Sequence, residues 1–282
     1  MRFIAHGLLP IGVEPNLTMT QEPTTPESAA PNRDRQFIQV APLYDQLMHD
    51  VPYSAWIEYI KELLAERGVR PRRVLDLACG TGNVTELLCA EGYSTIGVDI
   101  AEGMILEARR KAAERDLPIQ YAVQDAAELD LPGRRFDLCV SLFDSLNYVT
   151  DPARLQQAME RVALHLTRNG LFLFDMNSDY ALRNRFFDQS NRTTSAPLRY
   201  DWESEYFPDT RLCRVNMRFW YRDEEGQENA FSEEHWQFAY REEEIRDMLK
   251  NAGFEEISAY QAYTTTPTHR ASDRIFYVAR KA

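Results

Sequence analysis

Residues 74–84 read VLDLACGTGNV, and few short stretches restrict a fold more. Val74, Leu75 and Leu77 make an apolar strand that Asp76 interrupts. Gly80-Thr81-Gly82 then breaks the strand, and Asn83 carries a side chain suited to cap a following helix. A strand that enters a glycine turn and leaves as a helix is the ligand-holding unit of open α/β sheets. It needs strands beside it and helices above and below, because a strand this apolar must bury both faces.

The flanking sequence supplies these neighbours. SAWIEYIKELLAERG sets Trp56, Ile57, Ile60, Leu63 and Leu64 at helical spacing, with Ser54 as its candidate cap and Gly68 as its stop. Strand and helix then alternate through STIGVDI, AEGMILEARRKAAERD, IQYAVQDA, FDLCVSLF, PARLQQAMERVALHLTRNG and GLFLFDMN, which predicts a parallel sheet with right-handed crossovers. Near residue 198 the period drops to two: LRYDWESEYFP, RLCRVNMRFWYRDEEGQ and NAFSEEHWQFAY read as an inserted antiparallel meander. REEEIRDMLKNAGF returns to a helix, and EEISAYQAYTTTP and SDRIFYVARKA read as two last strands suited to an antiparallel edge pair. The expected divisions are a disordered tail over 1–35, a ligand-binding core over 36–180, the meander over 181–240 and a closing segment over 241–282 that completes the core sheet.

Charge and cysteine usage narrow the function. Asp and Glu number 44 against 32 Lys and Arg, a formal charge of −12, so long-range attraction to a phosphate backbone is absent and nucleic acid is not an expected partner. Nowhere does an apolar run approach the ~20 residues of a membrane span, and the opening MRFIAHGLLPIGVEPNLTMT makes a poor signal peptide. Cys79, Cys89, Cys139 and Cys213 have no C-x-x-C spacing and read as small thiols in a reducing cytoplasm. A cytoplasmic monomer or homodimer is the expectation.

Three ligands compete for the glycine loop. A triphosphate loop carries a lysine after its last glycine, and none follows Gly82. A dinucleotide loop sets a third glycine where Thr85 stands, and Asp76 puts an anion where a pyrophosphate would lie. An adenosine joined to an amino-acid tail through a sulfonium cation suits the residues better, since Asp76 attracts a cation and the glycines admit close backbone approach. Asp99 ends the next strand 19 residues after Gly80, where a carboxylate accepts from a ribose diol at about 1.5–3 kcal/mol per charged hydrogen bond. Asp125 and Ala126 end the third strand at the same edge, placed to read an adenine amine.

On VLDLACGTG, VDIAEGMILEAR, QDAAEL and FDLCVSLFDSLNYV, residues 40–180 resemble the class I S-adenosylmethionine-dependent methyltransferases, and the meander is similar to the β insertion of their small-molecule branch. The resemblance implies an α/β fold: a Rossmann-like seven-stranded methyltransferase sheet with helices on both faces and an antiparallel β-meander insertion. It implies S-adenosyl-L-methionine as methyl donor and S-adenosyl-L-homocysteine as product. Residue by residue, it implies that Asp76, Ala78, Gly80 and Gly82 line the methionine tail and that Asp99 holds the ribose. Ile100 and Met104 would pack the adenine, Asp125 and Ala126 would face its edge, and the backbone at Leu142 and Phe143 would hold the ammonium. Tyr44 matches an aromatic that closes over the cofactor.

FDSLNYV follows the strand beside which the methyl group comes to lie, so Asp144, Asn147 and Tyr148 either orient an acceptor or cap the local turn. His235 shares a strand face with Gln237 and Ala239 and reads as a general base or as a partly exposed strand residue. Asp144, Tyr148 and His235 are thus the candidate catalytic groups. Arg274 is open to a substrate carboxylate or to a glutamate. The meander's aromatics, Trp202, Tyr206, Phe219, Trp220, Tyr221, Trp236 and Tyr240, make either a lid for a ring or alkylated cation or the meander's own core. His6, His49, His165 and His269 show no metal spacing, and no metal is expected. The resulting expectation is methyl transfer to a small-molecule acceptor, an amine or a hydroxyl, by in-line displacement governed by alignment. A nucleic-acid methyltransferase of the same fold and a non-catalytic cofactor-binding protein are the alternatives.

Overall fold

The structure, a computed structural model, describes residues 36–193, 196–223 and 225–282. The tail expected over 1–35 lies outside the described residues. Five strands run parallel: β1 (Arg73–Leu77), β2 (Ser94–Asp99), β3 (Gln120–Val123), β4 (Phe136–Ser141) and β5 (Leu166–Asn177). Helices cover both faces, which is why β1 and β4 are apolar apart from Arg73, Asp76, Asp137 and Ser141. The short α1 (Tyr44–Leu47) precedes α2 (Tyr53–Glu66), which buries Trp56, Ile60 and Leu63 together with Leu88 of α3 (Asn83–Ala90) against Val74, Leu138 and Val140. α4 (Glu102–Glu114) packs Ile105, Ala108 and Ala112 on Tyr121. α5 (Pro152–His165) lies in a different apolar cluster, where Leu155, Met159 and Val162 join Leu75, Leu77 and Cys139.

Two helix starts differ from the expected caps. α2 begins at Tyr53 behind Pro52, whose fixed φ stands at the helix entrance, and Ser54 is already inside the first turn. α3 has Gly82 at its N-cap with φ of 82°, and Asn83 spends its side chain elsewhere.

After α6 (Asp179–Arg183) the chain leaves the sheet and makes a second one of four antiparallel strands: β6 (Gln189–Asn191), β7 (Leu198–Phe207), β8 (Leu212–Arg222) and β9 (Glu228–Phe238). β6 is three polar residues and has no alternation to announce it. Trp202 and Phe219 lie on the inner face in a cluster with Val40, Ala41 and Met104. Trp220 and Trp236 lie on the outer face, where Arg199 stands 6.0 Å from the Trp220 ring and Arg214 lies 5.7 and 5.8 Å from the rings of Phe207 and Trp236. The aromatic set therefore divides between a core and a solvent-side ladder.

α7 (Glu242–Asn251) returns the chain to the first sheet, with Ile245 and Leu249 in the α5 cluster. β10 (Phe254–Gln261) and β11 (Arg274–Lys281) complete it in the order β10-β11-β5-β4-β1-β2-β3. The two last strands are antiparallel, as their pattern suggests, but only β10 is an edge: β11 lies between it and β5, and Phe276, Tyr277 and Val278 are buried accordingly. The order reverses between β1 and β4, which opens a crevice at the carboxyl ends of those strands.

Candidate active site

The glycine loop leaves β1 at that crevice. Ala78, Gly80 and Gly82 have φ of 56°, 54° and 82°, three left-handed residues within five. Gly82 has a second reason to lack a side chain, since a Cβ there would stand 2.4 Å from the Tyr121 hydroxyl. A Cβ on Gly97 of β2 would meet the same ring at 2.6 Å, so Tyr121 fills the space beneath the loop. Ala78 carries a Cβ in a conformation that costs about 1–2 kcal/mol for a non-glycine residue. Strain of that kind gathers at functional sites.

Two acids flank the loop. Asp76 is 2% exposed and its Oδ2 accepts from the Thr85 hydroxyl at 2.5 Å, pinning the first turn of α3. Burial, with a smaller contribution from nearby Asp99, pushes its carboxyl up to about 7. Asp99 accepts the Gly80 N–H and the Ala101 N–H, each at 2.8 Å, and burial holds its carboxyl above the usual range. Beyond it Ile100 and Val123 are exposed at the sheet edge, 51% and 43%, an apolar shelf beside Asp99. Asp125 caps the turn that starts at Ala126 by accepting the Ala127 N–H, and it pairs with Arg154 at 2.7 Å. Met104 is buried within the Val40–Ala41 cluster rather than on that shelf.

A strap of residues 36–48 crosses the crevice from the meander to the loop. At one end Glu233 accepts the N–H groups of Phe37, Gln39 and Val40, and Gln36 accepts the Trp236 N–H. At the other, Asp45 accepts from the Thr81 hydroxyl at 2.6 Å, Asn83 at 2.9 Å and the buried Lys111 at 2.6 Å. Tyr44 sits between these ties. Burial pushes its hydroxyl up, with Tyr53, Tyr148, Asp144 and Asp99 adding to the shift.

Those groups form one buried network. Asp144 pairs with Arg274 at 2.7 Å and accepts from Gln237 at 2.6 Å; burial raises its carboxyl, Arg274 lowers it and Asp175 raises it again. His235 is fully buried, with Nε2 2.7 Å from Glu233 and Nδ1 3.4 Å from the Tyr148 hydroxyl. The Phe37 ring packs on both, 4.5 Å from His235 and 5.1 Å from Tyr148. The three candidate catalytic side chains are therefore brought together, and His235 is not the partly exposed residue of the alternative reading. Asn147 is not free to orient a ligand: its amide ties the turn to the Asn177 backbone and to the Phe238 carbonyl. Arg274 pairs with two aspartates instead of a glutamate.

Sequence reasoning passed over Asp45, Lys111, Asp175, Glu233 and Phe37. Asp175 interrupts an apolar strand as Asp76 does, and Glu233 shares a strand face with His235, so both carried a readable signal. Asp45, Lys111 and Phe37 matter only through distant partners.

A seven-stranded sheet of this order, with acids at the ends of β1 and β2 and a left-handed loop between them, defines a nucleoside-binding α/β site suited to a cationic ligand. A methyltransferase domain family matches residues 74–170. The Bacillus subtilis (strain 168) protein YqeM, provisionally named a methyltransferase, is 32% identical over 242 residues, 86% of this chain and 96% of that one. An S-adenosylmethionine-dependent methyltransferase structure from Clostridium acetobutylicum ATCC 824 is 32% identical, covers 86% of this chain and 98% of its own and superposes with a TM-score of 0.77. The fold is also that of CalS10, an amino pentose methyltransferase from Micromonospora echinaspora, at 21% identity, 85% and 97% coverage and a TM-score of 0.67. The chain belongs to the class I S-adenosylmethionine-dependent methyltransferases.

Proposed function

We propose that this methyltransferase acts on a small molecule bearing an amine or a hydroxyl. The observation that carries the reading is the enclosure of Asp144, Tyr148, Gln237 and His235 beneath the meander and strap, each of the last two fully buried. Polar groups held this deep suit a small acceptor that can be surrounded and disfavour one that must stay attached to a polymer. Outside it, an open hollow of about 330 Å³ on the meander is lined by Arg192, Arg199 and Arg218. Those guanidinium groups pair with Asp201, Glu228 and Glu203, which leaves little positive charge for a nucleic acid.

The groups around the crevice fit the donor. Asp76, Ala78, Gly80 and Gly82 line its methionine tail, and the two acids favour its positive charge. Asp99 serves the ribose diol. Ile100 provides the apolar face for adenine with Met104 packed behind, and Asp125 and Ala126 border the ring's edge. The carbonyls at Leu142 and Phe143 receive the ammonium, and Tyr44 closes over the sulfonium.

Bound S-adenosylmethionine supplies a methyl group on a sulfonium, a leaving group that needs no further activation. The protein's work is alignment and proton removal. Asp144, held by Gln237 and Arg274, orients the acceptor. The Tyr148 hydroxyl takes its proton and passes one to His235 Nδ1, while Glu233 at Nε2 stabilises the imidazolium that results. The strap excludes water by packing the Phe37 ring edge-on and tilted against that relay.

The test is a panel of small amines and alcohols, with tRNA and DNA alongside, scored by release of S-adenosylhomocysteine. Turnover on a small acceptor is expected, and His235→Gln should lower kcat for a hydroxyl acceptor by about 10²-fold or more. Turnover confined to RNA or DNA and falling steeply with salt overturns the reading.

A further inference from the structure

We infer that Asp175, braced by Arg274 and Tyr263, positions the backbone that receives the donor's ammonium group, and so sets affinity for the donor without touching it. The inference rests on the reading that Leu142 and Phe143 hold that ammonium.

Asp175 lies fully buried on β5, beside the end of β4. Its Oδ1 accepts the Phe143 N–H at 2.6 Å and its Oδ2 accepts the Asp144 N–H at 3.2 Å. Both residues are left-handed, with φ of 67° and 51°, which non-glycine residues adopt only under external constraint. Two consecutive amides in this shape form a small anion-binding concavity, and here the anion is built in.

The consequence falls on the carbonyls. A planar trans peptide sets its C=O opposite its N–H. With the Phe143 and Asp144 N–H groups turned to Asp175 on β5, the Leu142 and Phe143 carbonyls are turned away from it, toward the β1 side of β4. Ser145 Oγ marks the direction, lying 2.9 Å from the Leu142 oxygen and 3.5 Å from the Ala78 oxygen. Carbonyls from two neighbouring strand ends thus converge. A serine hydroxyl has one proton, so lone pairs remain for an ammonium with three donors.

Asp175 is itself held from behind. Arg274 reaches its Oδ2 at 2.6 Å and Asp144 at 2.7 Å, and the Tyr263 hydroxyl donates to its Oδ1 at 3.2 Å. Tyr263 stacks on the buried Trp56 at 4.6 Å, and the guanidinium stands 5.2 Å from the Phe143 ring. Two carboxylates on one guanidinium leave the network net negative, which favours a cation in front of it.

Calorimetric titration separates this role from a merely structural one. The probes are S-adenosylhomocysteine and its deamino analogue, which keeps the carboxylate and replaces the amino group with hydrogen. Asp175→Asn is expected to weaken S-adenosylhomocysteine about 10-fold or more and the analogue less than about 2-fold. Tyr263→Phe, which uncovers no charge, should shift the same preference by a smaller factor and carries the test alone where Asp175→Asn does not fold. Equal losses for both ligands, or wild-type discrimination retained in the variants, overturn the positioning role. A wild-type protein that does not distinguish the two ligands overturns the ammonium reading beneath it.

Discussion

Asp76 holds its proton to about pH 7, whereas in the unfolded chain it loses it near 3.8. Between those values the folded protein retains a proton that the unfolded chain has released, so this side chain lowers stability as pH rises through that window and costs nothing below it. A cation bound nearby favours the ionised form and reverses the balance. We therefore expect S-adenosylmethionine, which carries the sulfonium charge, to release protons on binding at about pH 6, visible as titration heats that differ between buffers of unlike ionisation enthalpy. Asp76→Asn should abolish most of that release. A second expectation concerns Ala78, whose left-handed φ a glycine would adopt without strain: Ala78→Gly should raise stability by about 0.5–1 kcal/mol in denaturant titration. At this scale the acids of the glycine loop were legible in the sequence because a charge inside an apolar run announces itself. The partners of Asp144 were not, since Gln237 lies 93 residues away and Arg274 130.

The strap is the element whose role sequence pattern conveys least. Residues 36–48 carry a modest amphipathic signal, but Glu233, which fixes them, lies 193 to 196 residues further on. Asp45 is the tie at the loop end. Burial works to raise its carboxyl, but hydrogen bonds from Lys111, Thr81 and Asn83 hold it below the usual range. Its contribution is present above the ordinary carboxylate range and is lost as pH falls through the lowered value, so the strap loosens in acid. Asp45→Ala leaves Lys111 buried without its carboxylate, at a cost of about 1–3 kcal/mol. Hydrogen exchange should accelerate over 36–48 and leave β5 protected. The loop itself tolerates less. Gly82→Ala meets both a positive φ and the Tyr121 hydroxyl, and thermal unfolding should shift down by at least about 2 °C. Helix and strand types were readable from period and apolarity. Their starts were not: Ser54 and Asn83 are good capping residues, but Pro52 and Gly82 occupy the geometry that the turns require.

As a whole molecule the protein is a nucleotide-type sheet with a buried polar network built onto its carboxyl edge. The sheet was legible because buried parallel strands write themselves as apolar runs; the place of β11 between β10 and β5 was not, since its pattern was read as part of an edge pair. The network was only half legible, because its members come from the strap, the meander and β11, which meet through side chains far apart in sequence. Among the described residues no helix is long and apolar enough to cross a membrane. We propose that the crevice between β1, β2 and β4 is the S-adenosylmethionine site, with Asp99 as its ribose anchor. The decisive measurement is titration of the wild-type protein and of Asp99→Ala with S-adenosylhomocysteine. Binding at micromolar strength that weakens about 10-fold or more in the variant is expected. Absence of binding to the wild-type protein, or undiminished affinity in Asp99→Ala, would contradict it.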